Sequence, residues 1–175
     1  MRSNFLPQNI NFIVEGKKLP SFKEKNLLYE GNCINFLNSL PARKRFHLIV
    51  TSPPYNIGKE YEKRTTLDEY LHEQKEVASL LTRHLSNKGS LCWQVGNYIQ
   101  NGERVPLDIF FIPMFQKLGL KLRNRIIWKF GHGQTGEKRQ FSGRYETILW
   151  FTKGESYRFD LDAVRVAQKY PSKRA

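Results

Sequence analysis

Short apolar, β-branched runs alternate along this chain with longer segments of helical periodicity, and that alternation leaves few architectures open. Strands and helices in turn bury their apolar surfaces by layering helices over a largely parallel sheet, so the expected fold class is α/β. Leu27-Leu28-Tyr29 is the first run, closed by Glu30-Gly31-Asn32. Ile34, Phe36, Leu37 and Leu40 follow at helical spacing until Pro41 stops the helix. Leu48-Ile49-Val50 reads as a strand. The clearest helix covers 67–85, with Thr66 and Glu69 as its capping box and Gly89 beyond its end. A strand over 90–96 comes next, and then a helix opened by Pro106, distorted by Pro113 and ended by Gly119. Two last strands, 125–130 and 147–152, flank a glycine-rich basic loop.

Composition narrows the partners. The 175 residues carry 29 Lys and Arg against 16 Asp and Glu, a net charge of +13, which favours polyanions. No apolar run approaches the ~20 residues of a membrane-spanning helix. The N-terminal residues read as no signal peptide, so an intracellular, cytoplasmic protein without a membrane partner is expected. Cys33 and Cys92 form no C-x-x-C, and His47, His72, His84 and His132 have no ligand spacing. No metal is expected, and His72 and His84 read as surface or boundary residues.

Leu48-Ile49-Val50 runs straight into Thr51-Ser52-Pro53-Pro54-Tyr55, where an open α/β sheet places its ligands. Two prolines fix successive φ angles and remove two N–H donors, leaving nearby carbonyls as free acceptors. Ser52 and the Pro53 carbonyl suit the two hydrogens of an exocyclic amino group, and Tyr55 suits stacking on a flat heterocycle. The same four residues also read as a stiffened strand-to-loop turn.

Four blocks, in this order, resemble the beta-class DNA amino-methyltransferases, the N4-cytosine and N6-adenine enzymes of bacterial restriction-modification systems. They are Leu28 to Cys33, His47 to Gly58, Lys88 to Tyr98 and Arg139 to Lys153. The resemblance implies a partial Rossmann-like methyltransferase fold, its sheet mostly parallel with a terminal antiparallel strand, and S-adenosylmethionine as cofactor. It implies that Ser52, Pro53, Pro54 and Tyr55 form the catalytic pocket for a flipped base. Asn32, Cys33 and Thr51 are the implied cofactor-binding residues; Asn32 stands where the family usually has Asp, so weaker cofactor binding is expected. Double-stranded DNA is the implied partner. Lys129, Lys138, Arg139 and Arg144, in a basic stretch with interleaved aromatics, are the expected DNA contacts, although a solvated surface loop reads the same way. Asn32 and Leu91 precede the two cysteines, so the Pro-Cys nucleophile of C5-cytosine methylation is absent.

The family's glycine-rich cofactor motif is expected C-terminal to the catalytic half. Phe130-Gly131-His132-Gly133 imitates its spelling but reads as a loop. The expected organisation is an N-terminal extension (1–26), a catalytic half (27–166) and a basic tail (167–175). The main expectation is therefore a DNA methyltransferase acting on N4 of cytosine or N6 of adenine. A truncated or split-gene fragment that binds DNA without methylating alone, its cofactor half on a second polypeptide, is one alternative. Methylation of a protein glutamine or an RNA base is another.

Overall fold

The computed structural model describes residues 11–17, 26–60, 62–131 and 143–167. In chain order the elements are β1 (Asn11–Val14), β2 (Leu27–Glu30), α1 (Cys33–Ser39), β3 (Phe46–Thr51), α2 (Leu67–His84) and β4 (Leu85–Val95). β5 (Asn97–Gln100), β6 (Glu103–Pro106), α3 (Asp108–Lys117), β7 (Lys121–Lys129), β8 (Tyr145–Thr152) and α4 (Leu161–Val164) follow.

The main sheet has the order β3-β4-β8-β7. β3 pairs parallel with β4, while β8 is antiparallel to both β4 and β7. Three strands therefore share one direction, and β8, the last strand in the chain, alone is reversed. That is the expected α/β class, with the reversed strand lying inside the four-stranded sheet rather than at its edge. β1 and β2 form a separate parallel pair. Asn11–Val14, assigned from sequence to the N-terminal extension, is thus a strand partner of β2.

Several elements differ from their sequence-based bounds for physical reasons. β4 begins immediately after α2, because Leu85 turns extended and its N–H closes the helix on the Thr82 carbonyl. Pro106 ends β6 instead of opening a helix; as the last residue of a short two-stranded hairpin it meets little demand for an N–H donor. The hairpin β5–β6 was not foreseen, its turn being made by Asn101 (φ 51°) and Gly102 (φ 80°). The capping box of α2 is present: Thr66 Oγ1 accepts from the Glu69 N–H, and Glu69 accepts from the Thr66 N–H.

The core gathers on one face of the sheet. Trp93 is fully buried and lies 5.2 Å from both Phe111 and Phe115, ring centre to ring centre, and Phe115 lies 4.8 Å from Phe151. Each such side chain contributes about 1.5–3 kcal/mol on burial, so this cluster clamps α3 to β4 and β8. His84, expected at the surface or boundary, is fully buried. Its ring nitrogens lie 3.0 Å from the Lys44 carbonyl and 3.1 Å from the Leu37 carbonyl, tying the end of α2 to α1 and the following loop.

Candidate active site

Strand register explains why distant residues meet beyond Thr51. β3 and β4 run parallel with Thr51 opposite Trp93, so Ser52 and Gln94 come to the same level at the ends of their strands. β4 and β8 pair Val95 with Thr147, which sets Glu146 beside Gly96. The sequence thereby delivers Ser52, Gln94 and Glu146 to one corner of the sheet.

The loop after β3 is tightly held. Tyr70 Oη, from α2, donates to the Pro54 carbonyl at 2.7 Å. Burial, first of all, pushes the Tyr70 phenol well above its ordinary value, with Glu62 and Tyr55 adding to the effect. The Glu62 carboxylate accepts from the N–H groups of Asn56 (2.9 Å), Ile57 (2.7 Å) and Lys59 (3.2 Å). Asn56 is buried with φ 58°, and its side chain exchanges two 2.8 Å hydrogen bonds with the Thr65 backbone. The expectation that the proline carbonyls are all free therefore needs correction: Pro54 is engaged, whereas the Pro53 carbonyl accepts no bond among the described residues.

Ser52, Pro53, Pro54 and Tyr55 line one pocket of about 390 Å³ together with Ile57, Gln94 and Glu146. Across it runs a hydrogen-bonded chain: Ser52 Oγ lies 3.2 Å from Tyr55 Oη, Tyr55 Oη donates to Glu146 Oε2 at 3.2 Å, and Gln94 Nε2 donates to the same oxygen at 2.5 Å. Burial and the Glu146 carboxylate push the Tyr55 phenol up, while hydrogen bonds from Ser52 and Gln94 pull it back. Gly96 fits against the ring; a Cβ there would lie 2.9 Å from Tyr55 Cε2. An adjoining pocket of about 310 Å³ shares Tyr55, Ile57 and Glu146 and adds Arg64, Arg104, Phe130 and Tyr145.

Gln94 and Glu146 were missed in the sequence. Their signal was a polar residue inside an apolar strand and an acid just after a basic stretch, neither of which has meaning until register is known.

The expected cofactor residues lie outside both pockets. Asn32 caps α1: its Oδ1 accepts from the N–H groups of Ile34 (2.8 Å) and Asn35 (3.4 Å). Its backbone N–H donates to Glu15 Oε2 at 2.9 Å, and Asn35 Nδ2 donates to Glu15 Oε1. Those hydrogen bonds lower the Glu15 carboxyl. With Oδ1 engaged, Asn32 offers its amide Nδ2 as a donor. Cys33 is exposed at the first position of α1, and Thr51 ends β3.

Among the expected DNA contacts, Lys129 and Arg144 are exposed and adjacent in register, the Phe130 N–H donating to the Arg144 carbonyl at 3.1 Å. Lys138 and Arg139 lie outside the described residues. Three other cations of that stretch are engaged internally. Lys121 and Arg123 pair with Glu155, lowering its carboxyl to about 2, and Arg125 meets Asp108 at 2.5 Å. Among the described residues no three His, Cys, Asp or Glu side chains gather as a metal site, and no helix is long and apolar enough to cross a membrane.

The N6/N4 methyltransferase family, described as DNA methylase, matches residues 46–175. The Type II methyltransferase M.BglII of Bacillus subtilis is 47% identical over 150 residues, covering 85% of this chain and 41% of that protein. M.ScaI of Streptomyces caespitosus, also a Type II methyltransferase, is 35% identical over 153 residues, 85% of this chain and 48% of that one. The chain thus spans less than half the length of these two relatives. In fold it is similar to the PvuII cytosine-N4-specific DNA methyltransferase, with TM-score 0.65 and 21% identity over 78% of this chain and 52% of that one. It is also similar to a DNA modification methylase of Thermus thermophilus, solved in complex with S-adenosyl-L-methionine, with TM-score 0.56 and 28% identity over 76% of this chain and 55% of that one. With the family match running through the pocket loop, Gln94 and Glu146 alike, the chain belongs to the N6/N4 DNA methylase family.

Proposed function

We propose that this chain carries the target-base pocket of an S-adenosylmethionine-dependent DNA methyltransferase of a restriction-modification system, acting on N4 of cytosine or N6 of adenine. The observation that carries this reading is the convergence of Ser52, Pro53, Pro54 and Tyr55 on one pocket. An exocyclic amino nitrogen is a poor nucleophile because its lone pair is delocalised into the ring. Ser52 Oγ and the Pro53 carbonyl accept its two hydrogens and draw the nitrogen towards tetrahedral geometry, localising that lone pair. Tyr55 supplies the stacking face. Catalysis by these residues is positioning and electrostatic preorganisation, with no covalent intermediate. Ser52 at the head of the motif leans towards cytosine, and Asn56-Ile57-Gly58 keeps adenine in view.

S-adenosylmethionine, when bound, supplies an electrophilic sulfonium methyl. The donors at the start of α1 fit its adenine: Asn32 Nδ2 and the backbone N–H of Cys33 would donate to a ring whose nitrogens accept hydrogen bonds. Thr51 stands at the end of the strand that leads to the base pocket. Lys129 and Arg144, with Lys138 and Arg139, hold the phosphates of double-stranded DNA without reading its sequence. A DNA substrate and bacterial relatives support a bacterial cytoplasmic location.

A second reading is favoured by the free edge of β3. In the described sheet β3 pairs on one side alone, and Leu48 and Val50, 60% and 70% exposed, lie on an uncovered face of the same strand. Such an edge invites a further strand, so the chain would bind DNA but require a second polypeptide to bind cofactor and methylate. Incubation of the chain with duplex DNA and tritium-labelled cofactor, beside calorimetric titration of the cofactor alone, separates the two. Label in DNA and micromolar cofactor binding support the first reading. DNA binding with neither supports the second and refutes independent catalysis.

A further inference from the structure

The hydrogen-bonded chain across the pocket has a direction, and this direction determines which bases the pocket accepts. An ionised carboxylate accepts and never donates, so Glu146 must receive both the Gln94 amide hydrogen and the Tyr55 hydroxyl hydrogen on Oε2. With its own hydrogen committed to Glu146, Tyr55 Oη can meet Ser52 only as an acceptor. Ser52 must then spend its one hydroxyl hydrogen on Tyr55 across the 3.2 Å contact. What Ser52 Oγ has left for the pocket is lone pairs.

We propose, resting on the base-pocket reading above, that Glu146 is a positioning residue that fixes the hydrogen-bond polarity of Ser52, so that the pocket selects bases bearing an amino group and rejects their keto counterparts. The atoms facing the base at this corner, Ser52 Oγ and the Pro53 carbonyl, are then both acceptors. Two acceptors match the two hydrogens of an amino group and repel a carbonyl oxygen. Cytosine and adenine fit; uracil and hypoxanthine, which carry a carbonyl in place of the amino group and an N–H at the neighbouring ring nitrogen, do not. A site built around a hydrogen-bonding group of its substrate discriminates against an analogue lacking it, because the partners that the bound base covers are left unpaired; Ser52 is exposed until a base covers it.

Glu146 touches neither the amino group nor Ser52 in this account and acts through Tyr55. Its placement suits the part. It lines both adjoining pockets, forms no ion pair with a described cation, and sits in a chain whose net charge of +13 would otherwise favour anionic, acceptor-rich groups throughout the cleft. The shifts on Tyr55 agree with this order of donors: burial and Glu146 raise the phenol, and the Ser52 hydrogen bond lowers it, as a bond donated into the phenolic oxygen does.

Two variants break the chain at different links. In Glu146→Met the Tyr55 hydroxyl loses its acceptor and turns to Ser52, whose own hydrogen is released into the pocket. In Tyr55→Phe the ring is kept, and Ser52 is again freed to donate. The test is titration by nuclear magnetic resonance of cytidine against uridine and adenosine against inosine, with each variant and the double variant, after circular dichroism and melting show them folded. The parent chain is expected to prefer the amino nucleoside by at least about tenfold. Each single variant should reduce that ratio to within about twofold of unity, and the double variant should reduce it no further, because both act through one route. A parent-like preference in Glu146→Met, equal weakening of amino and keto nucleosides, or additive effects in the double variant overturns the role of Glu146 while leaving the base pocket intact. Absence of any amino preference in the parent overturns both this role and the base-pocket reading.

Discussion

Replacing Gly96 by alanine puts a single methyl group against the ring on which the proposed chemistry turns. A Cβ at this position would lie 2.9 Å from Tyr55 Cε2 and 3.0 Å from Cδ2, where ordinary contact begins at 3.4 Å. The obstacle is a ring, held through its hydroxyl, and not the end of a flexible side chain, so Tyr55 must retreat by about 0.5 Å or more to reach normal packing distances. Tyr55 Oη stands 3.2 Å from both Ser52 Oγ and Glu146 Oε2. A retreat of that size carries one or both contacts past the distance at which a hydrogen bond survives, roughly 3.5 Å. Overpacking costs about 1–3 kcal/mol. Reduced freedom of the unfolded chain returns about 0.4–1 kcal/mol. Net destabilisation of about 1 kcal/mol should therefore accompany a much larger loss of function, since misplacement by about 1 Å costs on the order of a hundredfold in rate. The assay is the initial rate of methyl transfer to DNA, run beside urea unfolding. A Gly96→Ala variant that is folded and transfers methyl groups within twofold of the parent would refute the argument that Tyr55 is fixed by close packing.

Three further outcomes follow from the same contacts. Ser52→Ala should slow methyl transfer, and Tyr55→Ala should slow it more, by about tenfold and a hundredfold, with DNA affinity in gel-shift titrations nearly unchanged; equal rates in Tyr55→Ala and parent would show the stacking role to be wrong. His84→Leu removes the ring that meets the Leu37 and Lys44 carbonyls, leaves at least one of them without its donor, and should lower unfolding stability by about 1–3 kcal/mol in urea, with loss below 1 kcal/mol contradicting the buried bridge. The Glu155 carboxyl is lowered from 4.5 to about 2 by hydrogen bonds from Lys121 and Arg123 and by their charges. A depressed carboxyl contributes its full stabilisation above its unfolded value and loses it as pH falls through the folded one, so the melting-temperature gap between parent and Glu155→Gln should persist at pH 6 and close between about 4.5 and 2. A gap unchanged down to pH 2 would show that the pairing does not act on stability.

Local chemistry made much of this fold legible before the structure. The capping box at Thr66 and Glu69, the apolar face of α2 and the β-branched run ending in Ser52-Pro53-Pro54-Tyr55 are all written within a few residues. Other features depend on partners far away in sequence. Glu146 and Gln94 join Tyr55 only because two strand registers bring them level, and His84 reads as a surface or boundary residue until the carbonyls of Leu37 and Lys44 close over it. The basic stretch also divided on folding: Arg125 found Asp108 and Arg123 found Glu155, while Lys129 and Arg144 stayed exposed. Charge counting cannot separate these two groups, because the opposing carboxylates come from α3 and from the segment after β8. Asn32 shows a similar limit. Its position suggested a cofactor contact, yet the start of α1 claims its Oδ1 as a cap.

The central claim is that Ser52, Pro53, Pro54 and Tyr55 present a base's exocyclic amino nitrogen for methylation. Its most direct test is mass spectrometry of nucleosides from duplex DNA incubated with this chain and S-adenosylmethionine, using Tyr55→Ala as the control. The expected product is N4-methylcytosine or N6-methyladenine, formed about a hundredfold more slowly in the control. Methylation confined to carbon 5 of cytosine, or amino methylation at an undiminished rate in Tyr55→Ala, would contradict it.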